Sequence, residues 1–266
     1  MSEFLLRGKT IPLKEADNRV LLSARLCDLK FLKAKLESGR LRTLVDQLYT
    51  DLDEAGLSQL RPTVYFGDEW FSPQGIPSIA VPFYLAHPRL MKLEQAMMNQ
   101  VEGRTPAWFM KLIRHEAGHC FDHAYQVSQS KKWRQIFGNP ERRYNPDIYL
   151  PNRHSKDFVR NLPGFYAQAH PDEDFAETFA VLINPKSQWE KKYRNWPLAL
   201  EKLSYVSELI SKYGARKPHL EDRPDFYNAL RMRTTLSSLY QKRRKALKQV
   251  TKTVSALTGN PHLSIV

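Results

Sequence analysis

The sequence predicts an α+β fold that is predominantly helical, with a small sheet in the first half of the chain. Apolar residues recur at helical spacing along most of the chain, which indicates amphipathic helices. Residues 62–85 differ, because they are rich in β-branched and aromatic residues and are interrupted by Pro and Gly. With 266 residues, of which 42% are hydrophobic, the chain has enough apolar material for a sizeable core.

Two helices are predicted before the sheet, within a helical segment over residues 1–60. The first lies in residues 21–39, where leucines recur at helical spacing up to Gly39: Leu22, Leu26, Leu29 and Leu32 or Leu36. The second lies in residues 40–57, where one face is apolar and Gly56 marks the exit: Leu41, Leu44, Val45, Leu48 and Leu52.

The next segment predicts two strands, near residues 62–67 and 77–85. Pro82 lacks a backbone N–H, so the second strand is expected at a sheet edge. An edge strand can receive an extended peptide by main-chain pairing. A purely structural edge fits the sequence at least as well, and the sequence does not decide between the two.

The second half of the chain is predicted to be mostly helical. Thr105 is a suitable N-cap and Pro106 suits the first helical position, which predicts a helix over residues 105–126. Residues 151–170 predict a loop with at most a short helix. Three further helices follow from apolar periodicity: residues 171–183, stopped by Asn184-Pro185, residues 196–214, and residues 225–257 as one long basic helix or a helix pair.

Charge and cysteine content restrict the class of protein. The net charge is +13, and residues 191–252 hold 16 Lys or Arg against 5 Asp or Glu, whereas residues 1–190 hold 25 against 23. Two cysteines, Cys27 and Cys120, are too few for a disulfide framework or a Cys-rich zinc ribbon. No apolar run is long enough for a transmembrane segment, and charges interrupt the N-terminus before a signal-peptide core forms. We therefore expect a cytoplasmic protein.

The strongest functional signal is the segment HEAGH, residues 115–119. Residues four apart lie on one helix face, so His115 and His119 can bind one metal ion together. Glu116 lies beside them without being a ligand. A zinc ion with three protein ligands keeps a position for water and lowers the pKa of that water to about 7. A nearby carboxylate can then take the proton as hydroxide attacks a carbonyl group.

A third ligand is available in the helix predicted over residues 171–183. Glu173 and Glu177 stand four apart, so Glu173 can bind the metal while Glu177 hydrogen-bonds a ligand histidine and fixes its tautomer. A solvated helix face is the ordinary explanation of such a glutamate pair. The flanking residues leave almost no such face: Phe175, Ala176, Phe179, Ala180, Val181, Leu182 and Ile183. Because a buried carboxylate is costly unless it is paired or metal-bound, zinc ligation is favoured.

The two segments HEAGHCFDHAY and YAQAHPDEDFAETFA, which start at residues 115 and 166, resemble the zincin metallopeptidases with glutamate as third ligand, the gluzincin-like type. They are most similar to bacterial zinc-binding metallopeptidases whose second motif reads H-P-x-E-D-F-A-E. A more distant similarity runs to the lethal-factor and Pro-Pro-endopeptidase group, which shares H-E-x-G-H-x-x-D and E-x-F-A-E. The resemblance covers residues 105–185.

The resemblance implies a zincin-like core in which a small sheet precedes the active-site helix, with zinc as the cofactor. It implies that His115, His119 and Glu173 bind the zinc ion. Glu116 corresponds to the catalytic base, and Glu177 to the carboxylate that supports the ligands.

Tyr166 occupies the position of a tyrosine that assists the reaction in the lethal-factor group, seven residues before the ligand glutamate. Its hydroxyl could stabilise the oxyanion or protonate the leaving amine. A tyrosine at this place could equally be a core residue.

The spacing also departs from familiar patterns. The positions of His119 and Glu173 differ by 54, so the intervening segment must be structured or act as a lid. Three successive helical turns cannot easily face one ion, so His123 is expected to be structural or to support the ligands. Asp122 matches an aspartate of the family and is expected to support a ligand or anchor the helix. Cys120 is expected in the core. The loop histidines His154 and His170 have no assigned role.

The chain is divided for interpretation into the helical segment of residues 1–60, a catalytic domain over residues 61–213 and a basic helical extension over residues 214–266. The extension interleaves cations with apolar residues: Lys242, Arg243, Arg244, Lys245, Lys248 and Lys252 with Leu239, Tyr240, Leu247 and Val250. Such a helix could bind nucleic acid, an anionic membrane or an acidic protein, or it could be a helix packed on the core with a solvated face.

The leading hypothesis is a zinc metallopeptidase, an endopeptidase by expectation, that acts on a peptide or protein substrate. The alternative is a nucleic-acid- or protein-binding module with a structural or vestigial zinc site and a basic C-terminal helix. A third hypothesis joins the two, as a peptidase directed to proteins bound to nucleic acid. A structural zinc site tends to have a fourth protein ligand, whereas a catalytic one keeps a position open.

Overall fold

A computed structural model describes residues 2–145, 148–218 and 227–258 of the chain. The described part is predominantly helical with small sheets, which confirms the predicted α+β class. The strands are β1 (Glu3–Leu6), β2 (Lys9–Pro12), β3 (Thr63–Gly67) and β4 (Ser78–Pro82). The helices are α1 (Asn18–Ser23), α2 (Leu32–Glu37), α3 (Arg40–Glu54), α4 (Pro88–Met98), α5 (Pro106–Tyr125), α6 (Lys131–Phe137), α7 (Pro171–Leu182), α8 (Trp189–Tyr193), α9 (Pro197–Tyr213) and α10 (Leu236–Thr258).

A hairpin that the sequence does not predict opens the described chain. β1 and β2 pair antiparallel, with Leu6 opposite Lys9. The turn residues Arg7 and Gly8 both have positive φ, 48° and 80°, as a two-residue hairpin turn of the primed type requires. Phe4 is buried and attaches the hairpin to the core. The strands are too short and too polar to produce a clear alternating pattern.

The single helix predicted over residues 21–39 is wrong. The segment divides into α1, a 3₁₀ turn and α2, and Arg25 is extended between them with ψ 154°. Its backbone bridges Thr235, and the next N–H group, of Leu26, donates to the carbonyl of Thr234 over 3.1 Å. Leu26 is nevertheless fully buried, as the leucine spacing indicates. Backbone pairing with a distant segment therefore overrides the local helical preference.

The sheet lies where the β-rich segment predicts it. β3 and β4 pair in parallel, with Thr63 opposite Ser78 and Gly67 opposite Pro82. All five residues of β4 are buried. The second strand is shorter than predicted, because a 3₁₀ turn follows Pro82 directly. On the side of β4 away from β3, the N–H of Ala80 donates to the carbonyl of Phe71 over 2.9 Å. The middle of β4 is thus paired on both sides, with β3 on one side and with Phe71 on the other.

The long helices of the prediction are present. α3 buries four of the five predicted apolar residues: Leu41, Val45, Leu48 and Leu52. α5 begins at Pro106, and the Thr105 hydroxyl accepts a hydrogen bond from the N–H of Trp108 over 3.2 Å. α7 and α9 follow the periodicity of their segments, and a short 3₁₀ segment in residues 163–168 is the helical element expected in the loop before α7. The sequence does not predict α4, α6 or α8.

The two helices that carry the metal-site motifs, α5 and α7, pack against each other at very short range. Gly118 faces Ala176, and a Cβ atom placed on Gly118 would lie 2.8 Å from Ala176 Cα and 3.2 Å from its carbonyl oxygen. Only a residue without a side chain fits this contact. Two buried ion pairs fix these helices in the core. Arg114 of α5 pairs with Asp51 of α3, and Asp174 of α7 pairs with Lys202 of α9, each over 2.7 Å.

The C-terminal helix α10 is basic and amphipathic, as predicted, but it begins only at Leu236. The described residues before it, 227–235, form a 3₁₀ turn and no α-helix, so this part of the predicted helix over residues 225–257 is wrong, and residues 225–226 lie outside the described residues. Leu239 and Tyr240 are buried in the core. Glu94 of α4 accepts hydrogen bonds from the Tyr240 hydroxyl at 2.8 Å and from Arg243, whose second nitrogen lies 3.0 Å from the other carboxylate oxygen. The anionic partner of this region and the division into three parts stay predictions. Within the described ranges, every helix is too short or too polar to cross a membrane.

Replacement of Gly118 by alanine tests the contact between α5 and α7. In an exposed helix, alanine is more stable than glycine by about 1 kcal/mol. At this position the added Cβ would overlap the backbone of Ala176, so we expect Gly118→Ala to lower the free energy of unfolding by about 1–3 kcal/mol. Equilibrium unfolding in urea measures the change.

Ala107→Gly, at an exposed position of the same helix, is the matched comparison, because alanine should be the more stable residue there. If alanine were also the more stable residue at position 118, the close approach of the two helices would be wrong.

Candidate metal centre

Three side-chain atoms from α5 and α7 converge on one point. His115 Nε2 lies 3.2 Å from His119 Nε2, and the two nitrogens lie 2.9 Å and 3.4 Å from Glu173 Oε2. The histidines come from successive turns of α5, and the glutamate from the first turn of α7. His115 and Glu173 are almost fully buried, whereas His119 is partly exposed. The structure thus brings together the three residues that the sequence assigns as ligands.

The separations between these atoms fit a tetrahedral metal ion. Zinc bound to N and O ligands at about 2.0–2.1 Å places neighbouring ligand atoms about 3.3 Å apart. Among the described residues, His115, His119 and Glu173 are the cluster that offers three ligand atoms within 4.8 Å of one another. Three such atoms occupy three corners of a tetrahedron and leave the fourth open.

The protonation of His115 supports this interpretation. Its Nδ1 lies 2.9 Å from Glu177 Oε1, and because an ionised carboxylate only accepts hydrogen bonds, Nδ1 must carry the proton. In a neutral imidazole the lone pair of Nε2 then points at Glu173 Oε2, which is buried and accepts no hydrogen bond. Lone pairs that face each other at such distances repel unless a positive charge lies between them. The donor set therefore fits a bound cation.

The pKa shifts of the same residues point to the same need for positive charge. Burial alone would lower the pKa of His115, but the neighbouring carboxylates of Glu173 and Glu177 raise it well above the usual value. Burial alone would raise the pKa of Glu173, but the neighbouring imidazoles of His119 and His115 hold it well below the usual value. The Glu173 carboxylate therefore stays ionised, which favours a cation at this place.

Glu177 connects His115 to the loop that precedes α7. It is completely buried and accepts hydrogen bonds from the backbone N–H groups of Asn161 and Leu162, at 3.0 Å and 2.7 Å, and from the Asn161 side chain at 3.0 Å. With the His115 contact, these donors occupy both carboxylate oxygens. This arrangement offsets the cost of a buried charge and orients the imidazole, as the sequence predicts for Glu177.

Glu116 lies on α5 between the two histidines and is buried, with 6% of its surface exposed. Its Oε2 atom has no hydrogen-bond partner. Burial raises the pKa of its carboxyl group, while the charges of His115 and His119 act in the opposite direction. A carboxylate with a free oxygen, on the residue that follows the candidate ligand His115, is able to accept a proton.

Tyr166 lies against the centre, with its ring centroid 5.6 Å from that of His115. The two residues before it have positive φ: Gly164 at 74° and Phe165 at 60°, the second being uncommon for a residue with a side chain. Burial, followed by the charge of Glu173, raises the pKa of the phenol, so the hydroxyl keeps its proton. Tyr166 is thus available as a hydrogen-bond donor next to the metal-binding residues.

Tyr144 is a residue of this centre that the sequence does not identify. Its hydroxyl donates to Glu173 Oε1 over 2.6 Å. It lies in the irregular segment between the two motifs, where no capping or periodic signal marks it. Its role depends on how this segment folds over α7.

The remaining residues considered in the sequence take structural positions. Asp122 accepts hydrogen bonds from the N–H and hydroxyl groups of Ser128, at 2.7 Å and 2.8 Å, and so anchors the turn after α5. His123 lies 3.3 Å from the Ser72 hydroxyl, and burial lowers its pKa to about 4. Cys120 is buried in the core, as expected.

The two loop histidines differ from each other. His154 is exposed. His170 is buried and caps α7, because its Nδ1 accepts from the N–H of Asp172 over 3.2 Å, while Nε2 donates to the carbonyl of Arg142 over 2.9 Å. His170 therefore connects the irregular segment to the start of the helix that carries Glu173.

A comparison with protein-family models finds one match, described as "Putative zinc-binding metallo-peptidase", over residues 107–195. This range is a third of the chain and contains both motif helices. It agrees with the resemblance to zinc-binding metallopeptidases over residues 105–185. No curated protein and no solved structure matches the chain.

Glu177→Gln tests the support of His115. The amide would present an N–H₂ group to at least one pair of donors that now bind the carboxylate, so the orientation of the imidazole should loosen. We expect zinc affinity to fall about 10–100-fold, measured by competition with a chromogenic chelator. Glu201→Gln, at an exposed position of α9, is the control and should bind zinc like the unmodified protein. Equal affinity of all three proteins would show that Glu177 does not support the site.

Proposed function

We propose that this protein is a zinc-dependent metallopeptidase of the zincin type, with glutamate as the third ligand. The observation that carries the proposal is the convergence of His115 Nε2, His119 Nε2 and Glu173 Oε2. Glu116, which follows His115 in α5, has a buried carboxylate oxygen without a hydrogen-bond partner. The match to a zinc-binding metallopeptidase family over residues 107–195 supports it. The substrate is a peptide or protein, cleaved within the chain.

Each residue of the site has a separate role in the proposed hydrolysis. His115, His119 and Glu173 would hold the zinc ion, which would supply Lewis acidity when bound. Glu116 takes a proton from the attacking water and later gives it to the leaving amine. Burial of its carboxyl group helps, because a raised pKa makes the carboxylate a better proton acceptor.

Tyr166 acts as the electrophilic helper in this proposal. Its phenol keeps its proton beside the metal-binding residues and donates a hydrogen bond to the oxygen on which charge develops. The similarity to the lethal-factor group, which includes this tyrosine, belongs to the same proposal.

The alternative function is a binding module with a structural zinc site. A structural site usually closes with a fourth protein ligand, which makes the ion inaccessible to substrate. Among the described residues the cluster contains three candidate ligands, one fewer than a closed structural site uses. This observation favours catalysis over a structural role.

Glu116→Gln separates metal binding from catalysis. The amide keeps the size of the side chain but cannot take a proton, so we expect stoichiometric zinc and a fall in peptide hydrolysis of about 10²–10⁴-fold. Zinc content is measured by atomic spectroscopy, and cleavage with a peptide library derived from a proteome. A variant with full zinc and undiminished turnover would rule out this mechanism.

Tyr166→Phe tests the proposed helper. Loss of one donor to a developing oxyanion typically lowers kcat by about 10²–10³-fold, with little change in KM. If Tyr166 is only a core residue, kcat should stay within a few-fold of the unmodified enzyme. Steady-state kinetics on the peptide cleaved best decides between the two.

A further inference from the structure

We propose that Tyr144 is a positioning residue for the metal ligand Glu173, whose carboxylate it holds in the orientation that presents Oε2 to the zinc ion. This inference rests on the proposed zinc site and adds to it a residue that lies outside both motifs. It concerns metal binding and does not require knowledge of the substrate.

The contact with Tyr144 gives the two oxygens of the Glu173 carboxylate different surroundings. Tyr144 donates to Oε1 over 2.6 Å, while Oε2 lies 2.9 Å and 3.4 Å from the nitrogens of His115 and His119. Without a donor on Oε1, either oxygen could turn toward the ion. A hydrogen bond to a charged acceptor is short and strong, so it selects one orientation.

Tyr144 is also fixed relative to the helix that carries Glu173. The Arg142 guanidinium donates to the carbonyl of Ala169 over 2.8 Å, and the Arg142 carbonyl accepts from His170 Nε2 over 2.9 Å. The ring of Tyr144 meets that of His170 edge-on at 5.1 Å. Because His170 is the N-cap of α7, the phenol is held by the same helix end as its carboxylate partner.

The exposure of Tyr144 separates this role from a structural one. About half of the residue, 54%, is exposed, so it contributes little to the buried core. Removal of its hydroxyl alone should therefore leave the zinc-free fold intact. An effect on zinc binding would then come from the contact with Glu173.

The test compares Tyr144→Phe with Tyr149→Phe and the unmodified protein. Tyr149 is a tyrosine of the same segment whose hydroxyl donates to the carbonyl of Gly164 over 2.9 Å, not to a ligand. Zinc affinity is measured by competition with a chelator, and zinc-free stability by thermal unfolding in excess chelator. The visible spectrum of the cobalt-substituted protein reports the coordination of the ion.

We expect Tyr144→Phe to bind zinc about 10–100-fold more weakly, with a changed cobalt spectrum and an unchanged zinc-free melting temperature. Tyr149→Phe should match the unmodified protein in all three measurements. Equal zinc affinity in Tyr144→Phe, or an equal loss in both variants, would overturn the role of Tyr144 and leave the proposed peptidase intact. Failure of the unmodified protein to bind zinc would overturn both proposals.

Discussion

The close approach of α5 and α7 is the constraint on which the rest of the centre depends. Two candidate ligands lie on one helix and the third on the other, so their metal-binding atoms meet only if the helix backbones come very near each other. Gly118, between the two histidines, makes this possible, because even a methyl group there would overlap Ala176. Glycine has a low helix propensity and weakens α5 locally, but the contact with α7 requires it.

Charge balance is the second constraint, and it explains the surroundings of the site. Glu173 and Glu177 are both buried, but they are stabilised differently. Glu177 has its oxygens occupied by amide and imidazole donors, so it is stable without a metal ion. Glu173 directs one oxygen at two imidazoles without accepting a hydrogen bond there. The Glu177 carboxylate is therefore satisfied by hydrogen bonds within the protein, whereas the Glu173 carboxylate has an oxygen that could bind a cation.

The segment between the motifs belongs to the centre as much as the motifs do. It carries Tyr144 onto Glu173 and brings Asn161 onto Glu177. His170 joins this segment to the N-terminus of α7, because its Nε2 donates to the Arg142 carbonyl and its Nδ1 accepts from the N–H of Asp172. Residues that neither bind metal nor act as a base thus determine how the ligand carboxylate and the ligand imidazole are oriented.

Local rules, namely helical spacing, caps and the metal chemistry of residues four apart, are enough to predict the class of fold and the helices α3, α5, α7, α9 and most of α10. They also predict the candidate site residues His115, Glu116, His119, Glu173 and Glu177. The break at Arg25, the place of Tyr144 and the distance between α5 and α7 depend instead on residues far apart in the chain. Thr235 pairs with Arg25, Tyr144 donates to Glu173 and Ala176 contacts Gly118. Such contacts form only when the chain has folded, and no local pattern encodes them.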